Sequence, residues 1–72
     1  MEIEEQLTEY VREGQYLAEV EVAYLFDERR FTSKIRDGEA EKLENVRRAM
    51  RAGDLKAAAK LATIYELSPI AA

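Results

Sequence analysis

Residues 16–26, YLAEVEVAYLF, alternate between two kinds of side chain, and this alternation constrains the fold more than any other feature. A period of two places one set of side chains on each face of a β-strand. A helix would instead place Glu21 in one stripe with Leu17 and Tyr24. Valine and aromatic residues also favour strands. The stretch therefore predicts a half-buried strand with Glu19 and Glu21 on its solvent side. Its inward positions are Tyr16, Ala18, Val20, Val22, Tyr24 and Phe26.

A second short strand is predicted at residues 31–35, after a loop at 27–30. A four-residue connection is common in β-hairpins, so we expect a hairpin over residues 16–36. The register that we predict places Tyr24 opposite Ser33, with Glu21 opposite Arg36. Opposite charges that face each other stabilise a strand pair, which supports this register.

Residues 1–13 fit two different elements. Ile3, Leu7, Tyr10 and Val11 have helical spacing, and the segment is rich in residues that favour helices. A strand that turns at Gly14 into Tyr16 fits equally well. Helix and strand both remain open for this segment.

Residues 38–67 predict a helical hairpin. Apolar side chains recur at helical spacing, with Asp37 as the N-cap of the first helix and Gly53 as the C-terminal cap. Asp54 then caps a second helix over residues 55–67. The apolar positions are Ala40, Leu43, Val46 and Met50 in the first helix, and Leu55, Ala58, Leu61, Ala62, Ile64 and Tyr65 in the second.

These elements predict one α+β domain over residues 1–72. A small antiparallel β-hairpin or meander would pack on the C-terminal antiparallel helical hairpin. A bare two-stranded hairpin is marginal in water, so the sheet must rest on the helices or gain strands from another chain. A chain of 72 residues is also close to the lower limit for folding alone.

The composition argues against enzyme chemistry. The chain has no histidine and no cysteine, and it therefore lacks the commonest general base, the thiol nucleophile and the commonest ligands of transition metals. It also has no glycine-rich phosphate loop. Glu19 and Glu21 read better as solvent-facing strand residues than as a catalytic pair. We expect a protein that is not an enzyme, without catalytic residues, cofactor or metal.

Charge is divided unevenly along the chain. Residues 1–28 hold nine acids and one base, which gives 1 − 9 = −8, whereas residues 29–72 hold ten bases and six acids, which gives 10 − 6 = +4. Such a division suits a basic protein partner or a self-complementary homo-oligomer. We therefore expect a small protein-binding module, such as an antitoxin or inhibitor that neutralises a protein. The expected partner contacts are Tyr16, Glu19, Glu21 and Tyr24.

Two other functions remain open. The basic hairpin stretch could contact phosphates, in a small nucleic-acid-binding or regulatory homodimer that uses Arg29, Arg30, Lys34 and Arg36. A purely structural subunit is the third possibility. No apolar run approaches the roughly 20 residues that a membrane helix needs, and no signal-peptide pattern opens the chain. These features predict a cytoplasmic protein without a membrane partner.

The order of GQYLAEVEV (14–22) and DGEAEKLENVRRAMRAGDLKAAAKLATIYELSPIAA (37–72) resembles a group of very small bacterial proteins. That group carries a strand segment ahead of the pattern KL..VR.A...GDL.AA..LA..Y.L.P. The resemblance implies a strand followed by a helical hairpin and an antitoxin-like role, with no catalytic residues and no identified toxin. The similar positions are Lys42, Leu43, Val46, Arg47, Ala49, Gly53, Asp54, Leu55, Ala57, Ala58, Leu61, Ala62, Tyr65, Leu67 and Pro69.

Overall fold

The computed structural model describes residues 2–71 as an antiparallel four-stranded sheet with two helices packed on one side. The α+β class is therefore confirmed. Neither helix of this part of the chain has the length and apolarity that crossing a membrane would require. In chain order the elements are β1 (Glu2–Glu13), β2 (Tyr16–Asp27), β3 (Thr32–Ile35), α1 (Glu39–Arg51), α2 (Leu55–Ala59) and β4 (Thr63–Glu66).

The first two strands form a long hairpin, so the segment that fitted either helix or strand is a strand. Glu13 pairs with Tyr16, which leaves Gly14 and Gln15 as a two-residue turn. Gly14 has φ 59°, as the first central residue of a type II′ turn requires. This turn type matches the twist of the flanking strands and sets the register along the whole hairpin.

Strand β2 is the centre of the sheet. β1 pairs with one edge of β2 over its full length, while β3 and β4 share the other edge end to end. Between β3 and β4, side chains of α1 take the place of a strand. The Glu39 carboxylate accepts the Ala23 N–H at 3.2 Å, and the Lys42 ammonium donates to the Glu21 carbonyl at 2.7 Å. Helix α1 therefore satisfies part of the edge of β2 that the short strands leave open.

The core lies between the sheet and the helices. Val11, Ala18, Val20 and Val22 of the first two strands are buried against Val46, Met50 and Ala58 of the two helices. All of these side chains lie on one side of the sheet, which we call the helix-packed face. The opposite side, which carries Glu19 and Glu21, is called the open face.

The prediction of a second helix over residues 55–67 is wrong beyond Ala59. Residues Thr63–Glu66 form β4 and pair with residues 16–19 of β2. The β-branched and aromatic side chains of this segment favour a strand. The unpaired edge of β2 also offers them hydrogen bonds, and the Leu67 N–H extends the pairing to the Gln15 carbonyl at 2.6 Å.

The connection between the helices agrees with the predicted caps. Gly53 has φ 74°, its N–H donates to the Met50 carbonyl, and the Asp54 N–H donates to the Ala49 carbonyl, which is the Schellman pattern. The Asp54 carboxylate caps α2 by accepting the Ala57 N–H at 3.1 Å. At the start of α1 the predicted cap at Asp37 is wrong, because Gly38 occupies the N-cap position and no side chain caps the helix.

The predicted register of β2 and β3 is wrong by two residues. Tyr24 faces Ile35 and not Ser33, because the turn extends to Phe31, which adopts φ 52°, and β3 begins only at Thr32. A shift of two keeps each side chain on its predicted face. The shift separates Glu21 from Arg36, whose guanidinium lies 2.7 Å from the carboxylate of Glu4 on β1.

Candidate protein-interaction surface

The four residues expected to contact a partner are divided between the two faces of the sheet. Glu19 and Glu21 lie on the open face, as the alternation predicts. Tyr16 and Tyr24 lie on the helix-packed face, where both are partly buried against the core. The structure therefore brings the two glutamates together and separates them from the two tyrosines.

Tyr24 is held by a contact within the chain. Its hydroxyl donates to the Glu9 carboxylate at 2.8 Å across the helix-packed face. This hydrogen bond is the main cause that raises the pKa of Tyr24 above its ordinary value of 10.0, and loss of water and the negative charge of Glu9 add to it. Tyr24 thus has a structural role before any partner arrives.

The two glutamates of the open face have different surroundings. Glu21 lies opposite Thr8 and accepts a hydrogen bond from its hydroxyl at 2.8 Å. Glu19 lies opposite Tyr10 on β1 and Thr63 on β4, and within residues 2–71 it has no ion-pair partner. Glu19 is accordingly the carboxylate that is free for a cation from another molecule.

The outer edge of β1 is a surface that the sequence could not locate, because it left residues 1–13 open between helix and strand. Within the described chain β1 pairs only with β2, so its other edge is unpaired. The Ala23 N–H and carbonyl both bond toward α1 and Arg36 rather than toward β1. Gln6, the β1 residue opposite Ala23, must therefore point its own N–H and carbonyl outward, because bonded and non-bonded pairs alternate in an antiparallel ladder.

The same alternation orients the whole edge. The residues of β1 with outward backbone groups also carry their side chains on the open face; they are Glu2, Glu4, Gln6, Thr8, Tyr10 and Arg12. The strand holds five glutamates and one arginine, which gives 1 − 5 = −4. On the helix-packed face, Ile3 and Leu7 are 39% and 43% exposed. The edge thus combines free backbone groups, negative charge and uncovered apolar side chains.

The basic stretch does not form an uninterrupted cationic surface. The Arg30 guanidinium lies 3.9 Å from the Asp27 carboxylate, and that of Arg36 is held by β1. Arg29 and Lys34 remain exposed near them. Phe31, between these cations in sequence, is 84% exposed. The four cations predicted to contact nucleic acid are therefore interspersed with acids.

Comparison with known proteins adds no relative. No protein-family model, curated protein or solved structure matches this chain. Fold and surface therefore define its class, which is a small α+β protein in which the acidic strand β1 has one edge without a partner among residues 2–71.

Proposed function

We propose that this protein is a non-enzymatic protein-binding module that adds a strand of a basic partner protein to the outer edge of β1. If the partner is a toxin or an enzyme, the module acts as an antitoxin or an inhibitor. Addition of an extended segment to a free sheet edge is a recurrent mode of protein recognition.

The unpaired edge of β1 carries this proposal. β1 spans residues 2–13, and a strand rises about 3.3 Å per residue, so the edge is on the order of 40 Å long. Natural proteins usually shorten or cover such edges, because they pair readily with other chains. β1 is neither short nor covered by another described element, and this favours a role in binding.

The two faces of the edge specify the partner strand. A cationic side chain would face Glu2 on the open face, where opposite charges across a strand pair stabilise it, whereas Glu4 already has Arg36 as its ion-pair partner. Apolar side chains would cover Ile3 and Leu7 on the helix-packed face, with a basic side chain opposite Glu5 between them. The expected partner segment is an extended stretch of mixed basic and apolar residues.

Charge makes a second copy of β1 a poorer occupant than a basic strand. Paired strands lie about 4.8 Å apart, so self-pairing would bring together two strands that each carry a net charge of −4. A basic strand removes this repulsion, and complementary charge also increases the rate of encounter.

Strand addition can be tested by a proline on the outer edge. Gln6→Pro removes an N–H that points outward, so the β1–β2 ladder is retained. Gln6→Thr is the matched control because it keeps the N–H. Partners are captured from the native host, identified, produced separately and titrated against the three chains by calorimetry. We expect a basic partner whose affinity falls at least tenfold with Gln6→Pro and changes less than threefold with Gln6→Thr.

Hydrogen exchange of the complex provides a second readout. Strand addition protects the outward amides of β1, those of Gln6 and Thr8 among them, while the inward amides are already protected by β2. Equal affinity of the proline and threonine variants would contradict the proposal. Recovery of DNA or RNA alone, with a steep loss of binding as salt rises, would favour the nucleic-acid-binding alternative.

A further inference from the structure

Two tyrosines and one carboxylate come together on the open face, at the end of the sheet where β1, β2 and β4 lie side by side. Tyr10 faces Glu19 directly, while Tyr65 faces Leu17 and is therefore the diagonal neighbour of Glu19. Direct neighbours in a non-bonded pair have Cα atoms about 4.5 Å apart, and diagonal ones about 7–8 Å, which is within reach of an aromatic side chain.

Both rings are accessible from outside. Tyr10 is 60% exposed and Tyr65 is 45% exposed, and the two helices pack on the opposite face of the sheet. The strand register brings the three groups together on this face. The negative charge of Glu19 is the main cause that raises the pKa of Tyr65 above its ordinary value, and loss of water adds to it.

We propose that Tyr10, Glu19 and Tyr65 form a binding site for one arginine side chain of a protein partner. The faces of aromatic rings attract cations, and the planar guanidinium can stack on a tyrosine while it donates hydrogen bonds to a carboxylate. A lone carboxylate with two phenols suits a side-chain cation better than a metal ion, which takes several oxygen ligands.

This inference rests on the proposed function for the source of the arginine. Tyr10 points its backbone groups outward from β1, so the partner residue paired with Tyr10 would lie on the open face. Two strand spacings, about 10 Å, separate the Cα of that residue from the Cα of Glu19. A long arginine side chain can cross the ring of Tyr10 and reach the carboxylate over this distance.

The open face supplies a matched control. Glu21 lies on the same strand and the same face as Glu19, but it faces Thr8, has Tyr10 only as a diagonal neighbour and is four residues along β2 from the partner of Tyr65. Glu19→Gln and Glu21→Gln remove the same charge from the same surface. If a cation were held only by the general negative charge of the open face, both changes would weaken binding equally. Binding at the proposed site should weaken only with Glu19→Gln.

The experiment titrates the full chain with N-acetyl-arginine methylamide and follows backbone and tyrosine ring signals by NMR. We expect saturable shifts centred on Tyr10, Leu17, Glu19 and Tyr65. The affinity should fall at least fivefold with Glu19→Gln and change less than twofold with Glu21→Gln. The lysine analogue should bind more weakly, and the neutral citrulline analogue should not bind.

Three results would contradict the site: equal losses of affinity in the two glutamine variants, NMR shifts spread along the whole open face, or binding of the citrulline analogue. This failure can be told apart from failure of the proposed function. Loss of partner binding with Gln6→Pro, but no arginine site, would leave strand addition standing. If arginine binds specifically but Gln6→Pro leaves partner binding unchanged, the arginine site stands and strand addition is contradicted.

Discussion

Tyr24 connects the two long strands through its hydroxyl. This contact makes the free energy of unfolding change with pH in the alkaline range. Because the hydrogen bond to Glu9 raises the pKa of Tyr24 in the folded chain, folding favours the neutral phenol. The stabilisation is therefore complete below pH 10.0, the ordinary value of the group, and is lost as the pH rises through the higher pKa of the folded state.

Tyr24→Phe tests this dependence. The variant should be less stable than the parent chain at neutral pH, and the difference should narrow above pH 10.0, where the parent loses the contact. Urea unfolding at a series of pH values, with tyrosinate absorbance recorded in parallel, measures both quantities. Tyr10→Phe is the control, since no hydrogen bond of the Tyr10 hydroxyl is present in the described structure. A constant difference between Tyr24→Phe and the parent across the alkaline range would contradict the argument.

At the scale of the strand, proline should cost much more stability at one residue of β1 than at its neighbour. Leu7 faces Val22 in a bonded pair, so its N–H points inward, while that of Gln6 points outward. Leu7→Pro removes a ladder hydrogen bond and leaves its acceptor on β2 unsatisfied, so we expect a loss of about 1–3 kcal/mol in the free energy of unfolding. Gln6→Pro should cost clearly less, because the N–H that it removes faces outward and has no partner in the ladder. Chemical denaturation of both variants measures the difference. Similar losses of stability would contradict the assignment of the Gln6 N–H to the outer edge and the Leu7 N–H to the β2 side.

The same scale explains which elements the sequence could predict. The alternation in β2 fixes its faces because valines and glutamates fall on opposite sides over many residues. In β1 the apolar residues of the helix-packed face are Ile3, Leu7 and Val11, and a spacing of four fits a helix as well as a strand. In β4, Ile64 and Tyr65 also fit a helical stripe. Only the presence of an unpaired β2 edge, which is a tertiary property, decides between the alternatives.

The residues of the candidate site likewise divide into those that local alternation could place and those that depend on strand pairing. Glu19 and Glu21 could be placed on the open face from the local alternation alone. Tyr10 and Tyr65 could not be assigned to that face, because their positions depend on β1 and β4 being strands beside β2. The outer edge of β1 became visible only once strand order was known.

At the scale of the whole molecule, the core is thin for a sheet of this length. The molecule measures 48 × 30 × 14 Å, and its buried side chains are mostly valine and alanine. Met50 is the largest of them and is 5% exposed.

Met50→Ala should cost about 2–4 kcal/mol in the free energy of unfolding, because it leaves a cavity between α1 and the sheet. A chain of this size has only about 4–11 kcal/mol of stability, so thermal unfolding should show a marked loss. Lys60→Ala, at an exposed position, is a control.

The acidic edge should also govern self-association through ionic strength. If negative charge keeps two β1 edges apart, screening should weaken that protection, since the Debye length falls from about 10 Å at 0.1 M salt to about 3 Å at 1 M. We expect a monomer at low salt and measurable dimerisation at high salt in sedimentation experiments. Gln6→Pro should abolish the dimer because the outward N–H is lost. Complexes with a basic partner should weaken over the same range, so opposite salt dependences would distinguish the two occupants of one edge. Dimerisation that is stronger at low salt, or unaffected by Gln6→Pro, would contradict this account.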